Sequence, residues 1–91
     1  MTDELYERAT NLLEADLGDE LMALDVDGGT CFGFNPVATG VWRHLTNPKS
    51  FDEIEEALLA EYDVDRSQCR AELHELLDDL VQKGLVRKVA R

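Results

Sequence analysis

Position 36 is a proline, and it divides the chain into two kinds of pattern. Proline fixes φ and lacks an N–H, so a strand cannot run through it. The first position of a helix accepts it without loss. Asn35, immediately before it, is a good helix N-cap. Ahead of this pair, "TCFGF" (30–34) alternates, with Phe32 and Phe34 on one face and Cys31 and Gly33 on the other. Behind it, Val37, Val41, Trp42 and Leu45 recur at helical spacing. The switch predicts strands first and helices after.

Two further strands are expected upstream. Gly18 breaks the apolar pattern, leaving a weak strand near Asn11–Ala15 and a better one over Glu20–Asp25. The segment "ELYERATNLLEA" also reads as a short helix, and both readings stand. Between the second and third strands lies "DVDGG" (25–29). An EF-hand loop beginning at Asp25 places Asp27 at position 3. Gly29 then falls where the third ligand belongs, Thr30 replaces the required glycine, and Pro36 replaces the bidentate Glu. A hairpin needs only the residues present, glycines that accept positive φ between short apolar runs.

Downstream, "TNPKS" ends the first helix, because Pro48 and the residue before it resist helical geometry. Ser50 and Glu53 form a capping box for a second helix, with Ile54, Ala57, Leu58 and Tyr62 on one face. Asp65 and Gln68 make a second such box. It opens a longer helix with Cys69, Leu73, Leu76, Leu77, Leu80 and Val81 inward. Gly84 stops it, and Lys83 suits the negative end of its dipole. "LVRKV" is an extended tail or short strand. The expected class is α+β, three strands followed by three helices in a winged helix-turn-helix-like arrangement. At 91 residues, of which 44% are hydrophobic, the chain suits one domain with one core.

Charge narrows the function. Nine Lys and Arg against twenty Asp and Glu leave a formal charge of −11. Nucleic-acid binding requires clustered cations to neutralise phosphates, and here only "RKVAR" groups them. No apolar run approaches the roughly 20 residues of a membrane span. The charged start "MTDELYERAT" lacks a signal-peptide core, so the cytoplasm is the expected location. Cys31 and Cys69 stand far apart, outside any CxxC, and are expected to be reduced.

Little here resembles catalysis. Cys31, His44, Cys69 and His74 match no standard zinc spacing, and no nucleophile motif surrounds either cysteine. Gly28-Gly29 lacks the Lys-Ser/Thr of a phosphate loop. The carboxylates of "FDEIEEALLAEYDVD" fall mostly on a solvent face. An acyl carrier role would need a Ser in an Asp-Ser-Leu context, and neither Ser50 in "PKSFDE" nor Ser67 in "DRSQCR" provides one. The chain is expected to be neither an enzyme nor a holder of metal or cofactor.

From Leu21 to Val86 the order of motifs is specific. "CFGFNPVATGVWRHL", "SFDEIEEALLAEYDVD" and "ELHELLDDLVQKGLV" together resemble the PqqD family of peptide-binding domains, also called RiPP recognition elements. Asn35, Ala38, Trp42, Ile54, Tyr62, Val64, Leu73, Leu77, Leu80, Gly84 and Leu85 hold the positions that carry the likeness. Phe34 stands where Leu is commoner, and Phe51 replaces the usual Val.

The resemblance implies one peptide-binding domain over residues 1–91. It would capture the leader segment of a ribosomally made precursor and present it to a separate enzyme, a lasso-peptide protease or a radical-SAM enzyme. The leader would add as a strand along "TCFGF" and lie between it and the third helix. The implied contacts are Thr30, Cys31, Phe32, Gly33 and Phe34, with Arg70, Leu73, His74 and Leu77 of the helix. Phe32 and Phe34 fit a core role equally well. Leu73 and Leu77 can serve core and groove together, and Arg70 and His74 either flank a leader or are merely solvated. The reading from another class is a winged-helix transcription regulator. "DRSQCRAELHELLDD" argues against it, with five acids against two Arg.

Overall fold

The computed structural model of the chain describes residues 4–10, 12–18 and 20–90. Among these, six strands and three helices form an α+β fold. β2 (Leu12–Asp16), β3 (Leu21–Asp25) and β4 (Cys31–Phe34) make an antiparallel meander in that spatial order. They are the three strands expected from the sequence, although Asn11 lies outside the described residues. "DVDGG" joins β3 to β4 as a tight turn. Asp25 Oδ1 accepts from the backbone N–H groups of Asp27 and Gly28 at 3.1 and 3.2 Å, and Gly29 takes φ +71°. The aspartate that suggested a calcium ligand is a backbone acceptor that closes the turn.

A second sheet is the addition. β1 (Glu4–Arg8) lies between β5 (Lys49–Ser50) and β6 (Val86–Ala90), antiparallel to both. The stretch that also read as a helix is therefore a strand at its start, and the extended tail is its partner. In β1 only Tyr6 is buried, so the segment shows no clear local alternation. Its conformation is set by pairing with residues distant in sequence, Lys49–Ser50 on one side and Val86–Ala90 on the other.

The helices are α1 (Pro36–His44), α2 (Phe51–Glu61) and α3 (Arg66–Gln82). Asn35 caps α1 by accepting from the Ala38 N–H at 2.8 Å. The Ser50–Glu53 box on α2 is complete in both directions. On α3 only half of the expected box exists. Asp65 accepts from the Gln68 N–H, whereas the Gln68 side chain turns forward to Glu72 at 3.4 Å. Gly84, at φ +76°, ends α3.

One buried cluster draws on both sheets and all three helices. Trp42 is its centre. Phe34 meets the indole edge-on at 5.2 Å, and the Arg8 guanidinium lies 4.8 Å over the ring. Arg8 also donates to the Trp42 carbonyl, and the indole Nε1 donates to Glu14 at 3.0 Å. These contacts tie β1, β2 and β4 to α1.

Candidate peptide-binding groove

β3 holds one edge of β4, and among the described residues nothing pairs with the other. The register shows which backbone groups that leaves free. Asp25 donates to the Thr30 carbonyl at 2.8 Å, making Asp25 and Thr30 a hydrogen-bonded pair. Such pairs alternate along an antiparallel ladder. Ala23 with Phe32 and Leu21 with Phe34 are then hydrogen-bonded, whereas Leu24 with Cys31 and Met22 with Gly33 are not. The N–H and C=O groups of Cys31 and Gly33 therefore point away from β3, into the open edge.

Where β4 runs into α1, a cavity of about 790 Å³ begins. Asn35 and Val37 line one side of it, Leu58, Tyr62 and Val64 the end of α2, and Cys69, Leu73 and Leu76 the wall formed by α3. Val37, Tyr62 and Val64 are 49%, 39% and 43% exposed. Three exposed apolar residues thus gather at one mouth rather than lying scattered over the surface. Tyr62 reaches across to α1, leaving its hydroxyl where a Cβ on Gly40 would lie 3.2 Å away. Burial pushes the Cys69 thiol above its ordinary pKa, reinforced by the carboxylates of Glu55 and Glu72.

The sequence-derived site residues separate into three groups. Thr30, Cys31 and Gly33 are exposed at the open strand, and Phe32 is half-buried on its inner face. Phe34 and Leu77 are buried in the core. Leu73 is buried as well, yet its surface lines the cavity. Arg70 and His74 occupy another side of α3. His74 stacks on Phe51 with ring centres 4.2 Å apart, and Arg70 lies 4.8 Å over the same ring. Arg70 also binds the buried Glu55, and that bond raises its guanidinium pKa. Neither residue lines the cavity. They join α2 to α3.

Val37, Tyr62, Val64 and Leu76 line the groove but were not assigned to the site from the sequence. Helical spacing places Val37 and Tyr62 inward with the core. The available signal was the surplus of apolar positions on α3, more than a narrow buried stripe uses.

No curated protein matches the chain. The solved structure of TbiB1 in complex with the TbiA(beta) leader peptide is similar, with 32% identity and a TM-score of 0.82. The match covers 89% of this chain and 94% of that one. A lasso peptide synthetase B1 complexed with its leader peptide shares the fold at a TM-score of 0.78 and 20% identity, over 90% and 96% of the two chains. The family model described as coenzyme PQQ synthesis protein D matches residues 20–86, across β3, β4 and all three helices, and the chain belongs to this PqqD family.

Proposed function

We propose that the chain captures the leader segment of a ribosomally made precursor peptide by strand addition to β4. The observation that carries this reading is the open edge beside the cavity. Cys31 and Gly33 offer outward N–H and C=O groups, and Val37, Tyr62, Val64 and Leu76 provide an apolar floor for alternate side chains. An extended peptide gains main-chain hydrogen bonds from such an edge and specificity from such pockets. The similarity to TbiB1, whose structure holds a leader peptide, supports the same assignment.

On this reading the domain performs no reaction of its own. It raises the local concentration of precursor at a separate maturation enzyme in the cytoplasm. The lasso-peptide setting is favoured over the radical-SAM one by the likeness to a lasso peptide synthetase B1 fold. Among the described residues no helix is long and apolar enough to cross a membrane. The regulator alternative gains nothing, since α3 presents Glu72, Glu75, Asp78 and Asp79 on its exposed surface.

Calorimetry with the synthetic leader of the precursor encoded beside the gene tests the proposal. Saturable binding is expected, weakened when apolar leader residues become Ala. No heat with any neighbouring leader overturns it.

A further inference from the structure

The cavity wall is charged with one sign. Glu72, Glu75, Asp78 and Asp79 line it, and no Lys or Arg does. Elsewhere in the fold five arginines are paired. Arg8 pairs with Glu14, Arg43 with Asp16, Arg66 and Arg70 with Glu55, and Arg87 with Glu7. Asp79 has Lys83 at 2.9 Å. Among the described residues, none forms an ion pair with Glu72, Glu75 or Asp78, although all three are exposed beside an apolar floor.

We propose that the groove selects leaders that carry Lys or Arg among the residues facing α3, with Glu72 and Glu75 as the selecting carboxylates. The inference rests on the strand-addition reading above and adds the chemistry of the peptide. A Lys or Arg side chain suits both parts of the wall. Its aliphatic stem covers Leu73 and Leu76, and its charged head reaches the carboxylate row. From Glu72 to Asp79 the row rises about 10 Å along α3. Same-face residues of an extended peptide are about 6.7 Å apart. The row therefore accommodates two basic side chains at positions i and i+2. A net charge of −11 adds a long-range attraction for such a peptide.

The test uses a phage-displayed library of random 16-residue peptides, selected at low salt against the wild-type chain and against Glu72→Lys/Glu75→Lys. The wild type is expected to enrich sequences that combine apolar residues with Lys or Arg. The reversed variant should enrich Asp and Glu in their place. For the best wild-type peptide, Glu72→Gln/Glu75→Gln should lower affinity by about 2- to 25-fold, at about 1.4- to 5-fold per exposed pair. That loss should shrink at 0.5 M salt. Circular dichroism confirms folding, and both residues are exposed and outside any ion pair of the described fold. Peptides that bind, are lost with Gly33→Pro and show no basic enrichment overturn this inference but leave strand addition standing. A library that yields no peptide dependent on Gly33 overturns both.

Discussion

Arg70 donates through Nη1 to both carboxylate oxygens of Glu55, at 3.2 and 3.1 Å, and Glu55 is only 2% exposed. The pair links α2 to α3 beneath the stacked Phe51 and His74. Removing Arg70 leaves the buried carboxylate with Arg66 alone, at 3.0 Å. Arg70→Ala should therefore lower stability in chemical denaturation. Leader affinity should remain within about twofold where the variant is folded. A tenfold loss of affinity at wild-type stability would move the peptide to this side of α3.

Gly33 offers a cleaner view of the strand edge. Its N–H points away from β3, and a Cβ there would meet nothing within 4 Å. Gly33→Pro should spare the β3–β4 ladder, remove an edge donor and lower leader affinity about tenfold or more. Gly33→Ala keeps the donor and should bind like the wild type. Equal affinity for all three proteins would exclude β4 as the docking strand.

Val37 and Leu77 separate groove from core. Val37 is about half exposed at the cavity, whereas Leu77 is fully buried. Leu77→Ala should cost about 2–5 kcal/mol of stability. Val37→Ser should leave stability within about 0.5 kcal/mol. Its effect should appear in leader affinity, falling about fivefold as roughly 1 kcal/mol of apolar burial is lost. Thermal melts and calorimetry on the same samples distinguish the two outcomes.

The two thiols should behave oppositely. Cys31 is exposed and Cys69 buried, so a thiol reagent should titrate one group per native chain and two after unfolding. Cys69 has its pKa raised by burial, above the ordinary 9.0. Its neutral form belongs to the folded state. The associated stability is fully present below pH 9 and is lost as pH rises through the raised value. Denaturation at pH 8 and pH 10 should show a drop that shrinks in Cys69→Ala. An unchanged drop would assign alkaline destabilisation to other groups.

The meander, the three helices and the caps at Asn35 and Ser50 were legible because each is encoded by neighbours in sequence. Alternation, cap chemistry and Pro36 act over a few residues. β1 was not legible, since its partners are Lys49–Ser50 and Val86–Ala90 and its own pattern buries one side chain. The strand "TCFGF" is legible from its alternation, whereas spacing does not show that Arg70 and His74 lie on a side of α3 away from the cavity. Helical spacing alone cannot say that Arg70 serves Glu55 while Glu72 faces the cavity. Val37 shows the same limit, because an apolar residue at core spacing is indistinguishable in sequence from one left exposed at the cavity.

The open edge of β4 has a consequence for the protein in the absence of any guest. A strand free to accept a peptide is equally free to accept the same strand from another copy, which is how sheets begin to stack into aggregates. Two features oppose this. β4 is only four residues long, and every copy carries a formal charge of −11, so copies repel before their edges meet. Acidification into the carboxylate range removes that repulsion while the edge stays exposed. Self-association should then appear first in the empty protein, and a bound peptide should delay it by occupying the edge.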